Sequence, residues 1–197
     1  MSKRLLGLLL LVCLGMPAAG DTLRQLPRTF PVGANPSAIA VADLDDDGLP
    51  EIVTADRGTL SDTRDQRPAN DEVSVLLAGE DFDYTKLQPS LKTGFAPYAV
   101  KLVNVDGLKW PDIVVVSLHA VRERDLTLHR NLPNNIFEQQ IFTVPDAGLR
   151  YHRMRDGDGT PLFTMPGLTD VEVADLDGDT YRDAVAAGWA SDVLVYF

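Results

Sequence analysis

The stretch Asp43-Leu44-Asp45-Asp46-Asp47-Gly48-Leu49-Pro50-Glu51 sets the strictest condition on how this chain folds. Carboxylates at alternate positions around a glycine crowd negative charge into one turn, and two of them about 5 Å apart repel by a few kcal/mol at an effective dielectric near 20. A hard cation among them relieves that repulsion. The pattern returns as Asp175-Leu176-Asp177-Gly178-Asp179-Thr180-Tyr181-Arg182-Asp183. A weaker copy reads Asn104-Val105-Asp106-Gly107-Leu108-Lys109-Trp110-Pro111-Asp112. Oxygen-only donors in a flexible loop select calcium over zinc or copper. The expected ligands are Asp43, Asp45, Asp47 and Glu51 in the first loop and Asp175, Asp177, Asp179 and Asp183 in the third, each set joined by a backbone carbonyl, near Leu49 and Tyr181. In the second loop Leu108 and Lys109 replace the third aspartate and the glycine, so an ordinary turn is expected there, with Asn104, Asp106 and Asp112 as residual candidates.

An EF-hand would need a bidentate glutamate at the twelfth loop position and flanking helices. Thr54 and Ala186 stand at those positions, and the flanks are rich in strand formers. Ala38 to Ala42, Tyr98 to Val103 and Val171 to Ala174 precede the three loops; Glu51 to Thr54, Asp112 to Val116 and Asp183 to Ala186 follow them. Pro36 and Pro97 lie at the same offset before their loops, with Leu168 in that place in the third. The loop starts are separated by 104 − 43 = 61 and 175 − 104 = 71 residues. Third strands are expected at Val73 to Leu77, Leu126 to Leu128 and Val193 to Tyr196, and fourth strands at Phe82 to Leu87 and Ile136 to Phe142. The reading is an all-β chain of three four-stranded antiparallel repeats, about 30–90, 91–144 and 165–197, with an insertion at 145–167. The first strand of each repeat is small and apolar and is expected to be covered on both faces, as in a propeller blade between neighbours.

These repeats resemble FG-GAP or VCBS-type blades, the calcium-binding β-propeller units of integrin α-chain heads and of many secreted bacterial proteins. The resemblance spans about residues 30 to 197. It implies a β-propeller with structural calcium in the loops between first and second strands, and a part in protein or carbohydrate binding or adhesion. Propellers close with about four to eight blades. Three are too few, so the chain reads as part of a larger propeller; assembly of several copies and a persistent open array are the other two solutions. A chain opening on a fourth-type strand (Gln25 to Val32) and ending after a third-type strand could fasten its own last blade.

Met1-Ser2-Lys3-Arg4, an apolar run to Met16 and Pro17-Ala18-Ala19-Gly20 have the three regions of a secretory signal, giving a processed chain from about residue 21. The run is too short to span a bilayer. Cys13, the single cysteine, lies inside it and would be lost with it, so no disulfide or thiol chemistry is expected; Val12 precedes it where a lipoprotein signal has a small residue, and more apolar residues follow, so no lipid anchor is expected. Loss of Lys3 and Arg4 moves the formal charge from 18 − 29 = −11 to 16 − 29 = −13. That balance argues against nucleic acid and anionic lipid as partners. The location expected is extracellular, periplasmic or at the cell surface, with no stable membrane insertion after processing.

Long insertions fall at Arg57 to Asn70, Leu118 to Arg124 and Pro145 to Gly167. In a meander they emerge opposite the acidic loops, where binding residues commonly sit. Arg150, Tyr151, His152 and Arg153 form a basic, aromatic patch there. Its functional reading is a contact surface for a glycan, an acidic ligand or a protein; its ordinary reading is a solvated loop. Asp156-Gly157-Asp158-Gly159 reads as a turn. His119, His129 and His152 lack metal-ligand spacing, Trp110 and Trp189 read as packing residues, and neither a nucleophile elbow nor a phosphate loop is found. A non-enzymatic module is therefore expected. The alternative, the propeller portion of an extracellular hydrolase or lyase, would have to draw acid and base from Asp62, Asp65, Glu123, Asp146, Asp156 and Asp158.

Overall fold

The computed structural model describes residues 28–58, 70–119, 126–142, 167–188 and 193–196. They form three antiparallel sheets, none of them closed on itself, with one 3₁₀ turn at Glu80–Phe82. No helix among the described residues is long and apolar enough to cross a membrane. The first sheet runs β1 (Pro36–Ala42), β2 (Glu51–Asp56), β3 (Glu72–Gly79), β4 (Asp83–Lys86), with β5 (Leu91–Lys92) also paired to β3. The second runs β6 (Phe95–Val103), β7 (Asp112–His119), β8 (Leu126–Leu132), β9 (Ile136–Phe142). The third runs β10 (Leu168–Ala174), β11 (Asp183–Gly188), β12 (Val193–Tyr196).

Within each sheet neighbours in sequence are neighbours in space, the meander expected from short strands separated by turns. The repeat extends to a local irregularity. The pairing register slips between Pro36 and Ala38, between Pro97 and Ala99, and between Leu168 and Asp170. These are the positions at which the sequence places its recurring proline or leucine. Proline cannot donate to a ladder, and Pro89 likewise separates β4 from β5. The sequence reading had not resolved that break.

Alternation along the strands gives each sheet two faces, and those of the middle sheet go one to the sheet before it and one to the sheet after it. Val53, Ala55, Val73 and Val75 of the first sheet pack against Val100, Ile113 and Val115 of the second. The second sheet's other face, with Val114, Val116, Leu126 and Leu128, packs against Leu168, Val171 and Ala186 of the third. Phe142 and Tyr196 meet edge to face across that boundary, centroids 6.3 Å apart. The middle sheet thus belongs to both cores.

Two expectations need correction. Burial of the first strand on both faces holds for β6, where Ala99 and Val100 are both buried, but not for β1, whose Ile39 and Val41 are exposed. The cause is that, among the described residues, the first sheet has a packed neighbour on one side only. The opening strand expected over Gln25 to Val32 is absent from its described part, since residues 28–32 form no strand. The backbone there is held by other groups. Arg28 donates to the carbonyls of Asp81 and Phe82. Gly33 N–H donates to Asp56 Oδ2 at 3.0 Å, and a Cβ at residue 33 would lie 2.5 Å from that oxygen.

Candidate metal-binding loops

Each acidic loop joins the first and second strands of its sheet. Gly48, Gly107 and Gly178 carry φ of 88°, 75° and 83° at the turn, a conformation that other residues adopt at a cost. Before these glycines, aspartate side chains fold back on the backbone. Asp43 accepts from the N–H of Asp46 (2.6 Å) and of Gly48 (2.9 Å). Asp175 accepts from Gly178 (2.7 Å) and Thr180 (3.0 Å).

Of the predicted ligands, Asp43, Asp45 and Glu51 each bring one oxygen within 4.8 Å of the others, as do Asp175, Asp177 and Asp183. Calcium bonds of about 2.4 Å place oxygens on opposite sides of the ion about 4.8 Å apart, so both groups fit a single ion of that size. All donors are hard oxygens. Asp47 and Asp179 stand outside these groups; their Oδ1 atoms accept from Leu49 N–H at 2.7 Å and Tyr181 N–H at 2.8 Å. Asp45 Oδ1 is buried without a hydrogen-bond partner, an acceptor left over in the first loop.

The carboxylate that closes each loop starts the next strand and is buried. Glu51 accepts from Leu44 N–H (2.6 Å) and from Ala78 N–H of β3 (3.2 Å). Burial pushes its carboxyl above the usual range; the two N–H donors oppose that, while the charges of Asp45 and Asp47 add to it. Asp183 accepts from Leu176 N–H at 2.8 Å. These residues anchor the loop to the sheet whether or not an ion is bound.

The second loop differs in its counter-charge. Asp112 accepts from Val105 N–H and Asn131 N–H, both at 2.8 Å, and burial raises its pKa. Asn104 is occupied within its own turn, accepting from Gly107 N–H and donating to the Leu108 carbonyl. Asp106 Oδ2 takes two N–H donors of Arg130, at 2.8 and 3.1 Å. A guanidinium from β8 supplies the positive charge here, where only two of the three candidates are carboxylates. Lys109, in the place of the loop glycine, pairs with Asp46 of the first loop.

The acidic loops and the turns between third and fourth strands share one end of the sheets, as the meander requires. The β8–β9 turn of the second sheet docks on the first acidic loop. Asn135 donates to Asp45 Oδ2 at 3.2 Å, and Asn131, itself buried, donates to the Leu44 carbonyl at 2.6 Å. A crevice of about 540 Å³ opens between them, lined by Asp45, Asp47, Trp110 and Asn135 among others. Sequence reasoning missed Arg130, Asn131 and Asn135. Arg130 reaches Asp106 within its own repeat, from the strand two along, whereas Asn131 and Asn135 reach the first loop from the next repeat, and no spacing within one repeat carries that information.

Arg150, Tyr151, His152 and Arg153, the six carboxylates named for an enzyme and Trp189 lie outside the described residues. His129 faces the first sheet from β8, with its Nε2 buried and unpartnered. Burial lowers its pKa to about 4. No protein-family model matches this sequence, and no match is found among curated proteins.

Proposed function

We propose that this chain is a secreted, calcium-stabilised module of β-propeller blades of the FG-GAP or VCBS kind. Its calcium is structural, and its binding surface, for a protein or a carbohydrate, lies opposite the acidic loops. The observation that carries the reading is the recurrence of one three-carboxylate group, with its buried closing carboxylate, at equivalent positions of the first and third sheets, each loop turning through left-handed residues at its fourth and sixth positions. Where a sheet lacks that group, an arginine supplies the charge. Substitution of ion by guanidinium at a fixed structural position is the mark of a scaffold role, because a reaction centre would lose its chemistry with its metal. Three sheets side by side, in sequence order and sharing cores, support the blade arrangement.

The test is calorimetric titration of the chain, stripped of metal, with calcium. Two sites per chain are expected, with Kd of about 10⁻⁴ to 10⁻³ M. Asp45→Asn and Asp177→Asn should each remove one site, leaving the other unchanged. Absence of calcium binding, or both sites surviving both substitutions, refutes the proposal.

A further inference from the structure

We infer that the two outer sheet faces are halves of one interface and that a second copy of this chain occupies them, head to tail. The argument compares equivalent positions in the three sheets. On the face turned toward the following sheet, Val73 and Leu126 are 0% and 3% exposed, whereas Val193, in the same register on β12, is 64% exposed. Val75 and Leu128 are buried in the same way and Val195 is exposed. In the acidic loop, Leu44 inserts into the boundary with the second sheet and is 1% exposed; its counterpart Leu176 is 49% exposed. On the face turned toward the preceding sheet the order reverses. Val100 and Val171 are 5% and 1% exposed, and Ile39 in their place is 65% exposed. Val41 is exposed where Leu102 and Val173 pack into cores.

At these apolar positions the third sheet presents the kind of side chain that the first two bury against a successor, with the exposed Asp170 standing at the face's edge where Ala38 and Ala99 stand in the others. The first sheet presents those that the others bury against a predecessor. Each face has the shape and chemistry of a boundary this chain builds twice within itself, so the fitting occupant is another copy offering the opposite face. Glu172 on the third sheet does not obstruct this, since Lys101 holds the equivalent place on β6 inside an intact boundary and pairs with it. Unlike faces meeting head to tail make rings when the rotation closes. Two copies give a ring of six sheets, within the four to eight blades at which propellers close. The inference rests on the blade arrangement proposed above and not on the identity of the ion.

The experiment is sedimentation equilibrium of the chain, expressed in full and recovered after any processing of its N-terminal segment, across the micromolar range in millimolar calcium. A mass of two copies is expected. Paired substitutions on either face, Ile39→Lys with Val41→Lys or Val193→Lys with Val195→Lys, should each raise the dissociation constant at least 100-fold while the strand signal in circular dichroism persists. All four side chains are exposed in the single chain, and serine at the same positions serves if lysine costs the fold. A folded wild-type monomer overturns the inference and leaves the blade arrangement standing. A dimer that survives either pair of substitutions, or a mass that climbs beyond two copies, also overturns it.

Discussion

Glu51 shows how one side chain serves two ends. Its oxygens satisfy the N–H groups of Leu44 and Ala78, and it also stands in the three-carboxylate group with Asp43 and Asp45. Glu51→Ala strands one buried donor, Leu44 N–H, worth about 1–3 kcal/mol, and one half-buried donor, Ala78 N–H, worth less. A loss of about 2–4 kcal/mol is expected in denaturant unfolding even in chelator, with a further loss in calcium; stability unchanged in chelator would show that Glu51 is a ligand alone. His129 acts through pH. Its folded pKa of about 4 lies below its ordinary 6.5, so the unfolded chain binds the proton first. The contribution of neutral His129 is whole above pH 6.5 and is lost as pH falls toward 4, by about 3 kcal/mol. His129→Leu should flatten that part of the stability profile, and an unchanged acid limb would place the cause in other groups.

Strands and loops were legible in the sequence to different degrees, for a physical reason. The loop glycines, the closing carboxylates and the apolar flanks are local, and they located the strand pairs around all three acidic loops. The register slip at Pro36, Pro97 and Leu168 was visible as a recurring offset before its meaning was known. What one repeat does to the next was not legible. Nor was the charge that another strand of the same repeat brings in: the second loop read as an ordinary turn with residual ion candidates, and Arg130 meets its Asp106 from 24 residues away. Arg130→Gln should lower the melting temperature, by somewhat less in 1 M salt than at low salt, because the half-buried pair with Asp106 is screened only in part. A salt-independent deficit would assign the effect to packing of the arginine stem instead. Insertion of the Asn135 turn onto the first loop was likewise unreadable, since β8 and β9 gave no sign of which loop they would reach.

For the whole molecule, the middle sheet decides whether three repeats melt as one body. Its two faces supply residues to both cores, so neither outer sheet keeps its apolar surface covered without it. Stability in such an array is a sum of repeat terms and neighbour terms. One transition is expected in a thermal melt, and calcium should move all of it. With two sites at ten times their Kd, each contributes about 1.4 kcal/mol, about 3 kcal/mol together. For a chain of this size, 1 kcal/mol corresponds to roughly 2–4 °C, so chelation should lower the melting temperature by about 6–12 °C. Ile113→Ala, in the middle sheet against the first, removes a fully buried side chain and should cost about 2–5 kcal/mol. Because the third sheet leans on the second, that substitution should bring the ion-dependent step of the third loop down with the rest. Its effect would show in the Asp45→Asn background, where only the third loop answers to calcium. A calcium-dependent transition that stays put in the double variant would mean that the third sheet stands without its neighbour. Coupling through the shared middle sheet would then fail, because the third loop's ion alone would be holding its sheet.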